Sequence, residues 1–198
     1  MHDRIRRASL ALLLAAGLTA CAATRPEARL NERLDERTGS TVTTLDRPLE
    51  FFAPEPERGI DAASFADLGL AEINTMGTRS YYLWTSVLWG RSDPNKTSTP
   101  RIASIAVESE KAGLAFKSAE RIDPPGHVTL YAPQADWSEQ IVFSLTVDQV
   151  RAIATAQTLT LTIAVGTGES QRFTLWKPPT EALPRFASEL LDGTSEPR

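Results

Sequence analysis

From Thr41 onward, apolar and polar positions alternate in short runs, and that period of two predicts β-strands. The candidate strands are Thr41–Leu45, Leu49–Phe52, Leu68–Thr75, Arg79–Trp89, Arg101–Ser109, Leu114–Glu120, His127–Ala132, Glu139–Leu145, Leu159–Val165 and Gln171–Trp176. Turn formers fall between many of them. Gly77 lies within Asn74–Thr78, Glu110–Gly113 ends in glycine, and Gly166-Thr-Gly168 supplies the positive φ that a tight hairpin needs. Links this short join antiparallel neighbours. Asp93-Pro94-Asn95 through Pro100, and Asp123-Pro124-Pro125-Gly126, read as longer loops.

The period changes to that of a helix in two places. Thr146-Val-Asp-Gln149 has the form of a capping box, after which Val147, Val150, Ile153 and Ala154 share one face through Ala156. Thr180 caps a second stretch that runs through Leu191, with Leu183, Phe186, Ala187, Leu190 and Leu191 as its apolar stripe. Pro184 falls in its first turn, where a missing N–H costs little, and Gly193 is a fitting stop. A run of strands, a helix, a hairpin and a final helix favours a mainly β (β-rich α+β) domain. The expected architecture is an antiparallel sandwich, or a sheet with one or two short helices packed on it.

The first residues follow neither period. Arg4, Arg6 and Arg7 precede the uncharged apolar run Leu10–Leu18. That run is too short for a bilayer, which needs about 20 residues, but it suits the core of a signal peptide. Leu18-Thr19-Ala20-Cys21 resembles the lipobox of bacterial lipoproteins: an aliphatic residue, two small residues, then the modified cysteine. The resemblance implies that Cys21 receives a diacylglycerol, that the chain is cut before it, and that the new amine is acylated. One buried chain binds a membrane reversibly, and two or more bind it durably. Ala22 rather than aspartate after the cysteine implies the outer membrane, with the domain facing the periplasm.

The expected organisation is a signal peptide over 1–20 and a lipidated cysteine with charged tether over 21–38. A single β-rich domain follows over 39–192, then a flexible tail over 193–198. The tether, AATRPEARLNERLDERT after the cysteine, would reach roughly 55–60 Å if fully extended. Within it, Leu30 and Leu34 stand at helical spacing among charges, so a short solvated helix, or a narrow partner-binding helix, is the alternative to plain tether.

Composition adds constraints. The chain has 198 residues, 41% hydrophobic and 23% charged, which suits a globular domain with its own core. Removing Asp3 and the three arginines with the signal takes the formal net charge from −4 to −6. An acidic surface opposes nucleic acid as a partner. Cys21 is the one cysteine, so no intrachain disulfide forms.

Chemistry is thin. His2 leaves with the signal, and His127 alone would have to serve any Ser-His-Asp set, with Asp123 nearby but no nucleophile-elbow pattern. No metal ligand set, calcium loop or phosphate-binding glycine loop is visible, so neither metal nor cofactor is expected. Glu50, Glu72, Glu108 and Glu120 fall on candidate strands, where pairing for glycoside cleavage would be spatial.

The densest feature is Arg79–Trp89. Read as a strand, Tyr81, Leu83, Thr85, Val87 and Trp89 point one way, and Tyr82, Trp84 and Leu88 the other, with Ser80 and Ser86. One reading is a central strand covered on both faces. The other is a binding surface made by Tyr81, Tyr82, Trp84 and Trp89, for a sugar or a protein. Thr38–Thr43 together with Tyr81-Tyr82-Leu83-Trp84 resembles a group of uncharacterised proteobacterial lipoproteins, which brings no known activity.

The expected function is a membrane-anchored, non-enzymatic binding or assembly module of the cell envelope. Its partners would be the membrane, through Cys21, and an envelope protein. A periplasmic hydrolase or carbohydrate-active enzyme, and a carrier of lipid or another apolar ligand, are the alternatives.

Overall fold

Among the described residues there are ten strands and two short helices, and the strand registers define one continuous antiparallel sheet. The computed structural model describes residues 29–54, 63–90, 101–110, 112–133, 135, 138–176 and 182–192. The strands are β1 (Leu30–Asp35), β2 (Ser40–Leu45), β3 (Leu49–Ala53), β4 (Ser64–Thr75), β5 (Thr78–Leu88), β6 (Ile102–Ser109), β7 (Gly113–Lys117), β8 (Glu139–Leu145), β9 (Leu159–Val165) and β10 (Ser170–Leu175). Helix α1 spans Val147–Ala154, and α2 spans Ala182–Ala187 and continues as one π turn, Ser188–Asp192. The mainly β class with short packed helices is thus the observed one. The signal peptide, the lipobox, Cys21, the first part of the tether, the 93–100 loop, Thr180 and the tail lie outside the described residues.

The hairpin β4–β5 is the spine. Its strands pair without a break from Phe65↔Leu88 to Thr75↔Thr78, and β8 pairs the far edge of β5. The other edge of β4 takes two strands end to end. β3 pairs residues 64–68 and β2 pairs 71–74, with the break at Asp46–Pro48. Pro48 has no N–H to give a ladder, which fits an interruption there. The sheet forks at this break: β1 adds to β2, whereas β3 continues into β10, β9, β6 and β7. The long branch curls until its end meets β8. Ile122 N–H, after β7, donates to Val142 O at 2.9 Å, and the Phe116 and Phe143 rings stack at 4.9 Å.

Residues paired across strands share a face. The registers therefore put Leu49, Phe51, Leu68, Leu70, Leu83, Val87, Ile105, Val107, Phe143, Leu161, Ile163 and Phe173 on one concave face, all of them buried. Val150, Ile153, Leu183 and Phe186 of the helices join the same cluster. The interior between sheet and helices is filled by these side chains, as close packing of protein cores demands.

The capping box forms as the sequence predicts: Gln149 N–H donates to Thr146 Oγ1 and Thr146 N–H to Gln149 Oε1. Val147, expected on the apolar face of α1, is exposed. At the β4–β5 turn, Met76 and Gly77 both take positive φ, the requirement of a two-residue type I′ hairpin, and Asn74 Oδ1 accepts from Gly77 N–H. No helix among the described residues is long and apolar enough to cross a membrane.

Three local expectations are corrected. Leu30–Asp35, read as tether or solvated helix, is an edge strand. Leucines four apart share a face in a strand as well as in a helix, and Leu30 pairs with Leu45. His127–Ala132 is not a strand. Val128, Leu130 and Tyr131 turn inward and bury without joining a ladder, so period two appears there without pairing. The strand expected over Leu114–Glu120 stops at Lys117, and Ser118–Glu120 forms a 3₁₀ turn.

Candidate functional site

The aromatic strand is core. Tyr81, Tyr82 and Trp84 are 7%, 4% and 2% exposed, so they offer no exposed aromatic platform. Trp89 is partly buried against Phe173, with ring centroids 6.2 Å apart. The reason is the width of the sheet. Strand β5 lies between β4 and β8, the concave side fills with the core, and the 122–133 segment crosses the convex side. Tyr131 packs at a tilt on Trp84, with ring centroids 5.0 Å apart, and its hydroxyl donates to Leu70 O and accepts from Leu45 N–H. Arg33 donates to Thr129 O, tying β1 to the same segment. Trp84 Nε1–H donates to Gln140 Oε1.

The other sequence candidates are dispersed. His127 is exposed in a 3₁₀ turn, at φ 56° after Gly126. Glu108 is exposed and pairs with Arg172 at 3.4 Å. Glu120 accepts from Lys117 N–H and closes the 3₁₀ turn. Glu72 is buried beside Arg79. Glu50 alone of these four meets another carboxyl group in register, opposite Asp67 on the convex face.

That pair borders the feature the sequence did not single out. Trp176 is 47% exposed just past β10, and its N–H donates to Glu50 O. Its ring meets Phe52 edge-on at 4.8 Å and lies 6.4 Å from Phe65. Phe52 and Phe65 are themselves a cross-strand pair, both partly buried. The result is an aromatic patch on the convex face with Glu50 exposed beside it and Asp67 buried next to Glu50. Aromatic faces and carboxylate acceptors together suit sugars and peptides. The signal available in the sequence was the alternation at Phe52, Phe65 and Trp176. Only the pairing of β3 with β4 and β10 shows that the three rings meet.

A second feature is polar. A cleft of about 380 Å³ runs between β1–β2 and α2, lined by Arg29, Leu30, Glu32, Thr43, Arg185, Glu189 and Leu190. The registers place Glu32, Thr43, Glu72, Tyr81 and Leu145 in one row across five strands on the concave side. Glu72 is 3% exposed, and burial pushes its carboxyl up from the ordinary glutamate range against the pull of Arg79, whose Nε lies 3.7 Å from Oε1. Its Oε2 has no hydrogen-bond partner. Burial also raises the Tyr81 hydroxyl, with the Glu72 charge adding to it. Among the described residues no group of three or more histidine, cysteine or carboxylate side chains is placed to hold a metal.

Comparison with known proteins gives no family for this chain: no family model, no curated protein and no solved structure matches it.

Proposed function

We propose that this protein is a lipid-anchored lipoprotein of the bacterial envelope that acts as a non-enzymatic binding module. It would use the Phe52–Phe65–Trp176 patch of its convex face as the contact surface. The patch carries the reading. An indole nearly half exposed, braced by two phenylalanine rings on a sheet whose own aromatic strand is buried, is costly to leave to water and suits a ligand or partner face. Anchoring rests on Leu18-Thr19-Ala20-Cys21 behind the basic and apolar leader. With the sheet edge starting at Leu30, the residues between Cys21 and the domain could span at most roughly 27–30 Å. That reach lets the domain stand clear of headgroups. The filled interior weighs against an internal lipid carrier, since a bound acyl chain would have to displace core side chains.

The test places a photo-crosslinking amino acid at position 176 in the full-length chain, in intact cells, with position 147 as an exposed control. The proposal expects a discrete, reproducible adduct from 176 that is absent from 147. Equal, diffuse labelling at both positions would overturn it.

A further inference from the structure

The last turn of α2 is held to the sheet by two donors that stand beside a buried acid. Leu190 lies in the π turn that ends α2, where carbonyl oxygens lack intrahelical partners. Its oxygen accepts from Arg79 Nη1 at 2.8 Å and from the Tyr81 hydroxyl at 3.4 Å. Glu72 stands beside both donors. Arg79 is its ion-pair partner, and Tyr81 stands directly opposite it in the β4–β5 register, on the same face of the sheet. Tyr81 has one hydroxyl proton, so it cannot serve both acceptors fully. A carboxylate outcompetes a neutral carbonyl for that proton, because charge-assisted hydrogen bonds are about twice as strong as neutral ones.

We propose that Glu72, Arg79 and Tyr81 form a proton-operated latch for the C-terminal helix. With Glu72 neutral, Arg79 and Tyr81 serve Leu190 O and the helix end is held against the sheet. With Glu72 ionised, its carboxylate, one oxygen of which has no donor in the closed arrangement, takes the Tyr81 proton and draws the Arg79 guanidinium closer than 3.7 Å, which strains the Nη1 bond to Leu190 O, and the helix end loosens over the cleft. The charged and titratable groups around Glu72 set the balance. From β1, Glu32 disfavours ionisation; from β5, Arg79 favours it. On α2, Arg185 and Glu189 bond each other across the cleft wall, and Arg29 completes that wall. Burial of Glu72 displaces its ionisation upward from the ordinary glutamate value, which brings the latch closer to neutral pH. Loosening α2 would widen the cleft between β1–β2 and the helix, which gives the motion a surface to act on.

Hydrogen exchange measured by mass spectrometry on peptides covering 182–192, corrected for the pH dependence of intrinsic exchange, tests the latch across pH 4.5 to 8. The wild type is expected to open about tenfold more per unit of pH through the Glu72 transition, then level off. Glu72→Gln is expected to remain protected throughout. Parallel profiles for the two proteins would overturn the proposal. A measurement on the wild type alone guards against a misfolded variant. The carbonyl ¹³C shift of Leu190 is expected to titrate with the same midpoint as the Glu72 carboxyl carbon, and a Leu190 shift with no inflection at that midpoint would contradict the latch.

Discussion

The phenol ring of Tyr131 occupies the space over Gly69 that a β-carbon would fill. Gly69 faces Trp84 in register on the convex side of the hairpin, so its missing side chain is what admits the ring against the indole. A Gly69→Ala variant must therefore push Tyr131 off the sheet. A loss of about 1–3 kcal/mol, as for other overpacked cores, is expected in denaturant unfolding, together with a change in tryptophan emission. An unchanged midpoint and spectrum would show that the ring packs elsewhere.

Tyr131 also carries a polar duty. Its hydroxyl accepts from Leu45 N–H at 3.0 Å and donates to Leu70 O at 2.6 Å, in a buried site that raises its ionisation well above the usual tyrosine range. Tyr131→Phe keeps the ring and strands both backbone groups. The expected cost is about 1–3 kcal/mol, with faster amide exchange at Leu45 than in the parent protein.

Thr85 behaves in the opposite sense. It is fully buried between Leu68 and Ile141 on the concave face, and its hydroxyl has no hydrogen-bond partner. Valine has the same shape and favours strands, so Thr85→Val is expected to raise stability by about 1 kcal/mol in thermal or urea unfolding. Destabilisation would mean the hydroxyl is satisfied in solution.

Glu72 sets a pH dependence with a defined sign. Its native ionisation is raised, so neutral Glu72 favours the fold. That contribution is complete below the ordinary glutamate value and is lost as pH rises through the raised native one. Relative to Glu72→Gln, the wild type should lose stability between acid and neutral pH. Arg79 keeps Leu190 O as its acceptor in the variant, which limits the cost of losing its ion-pair partner. Unfolding free energies for the two proteins that run parallel across this range would refute the assignment.

Particular residues explain what the sequence revealed. Strands β2 to β10 follow runs whose buried positions alternate, or whose two faces are both apolar, and Thr146 with Gln149 marks the start of α1 by local hydrogen bonding alone. Strand β1 was hidden because Asn31, Glu32 and Arg33 give it an edge strand's polarity, so no alternation of apolar and polar positions marks its hairpin with β2. The segment at Val128–Tyr131 misled for the converse reason: it buries on a sheet face without hydrogen bonding to a strand. The aromatic patch and the Glu72 row were illegible because each draws its residues from three or more strands. Which strands neighbour one another follows from the fork at Asp46–Pro48, and no local period encodes that.

Mass spectrometry of the N-terminal peptide from protein purified out of its own membranes tests the proposed lipid anchor most directly. The predicted result is a chain that starts at Cys21 with diacylglycerol on the thiol and an acyl group on the amine. A mature chain that retains residues before Cys21, or that carries an unmodified Cys21 thiol, would contradict it.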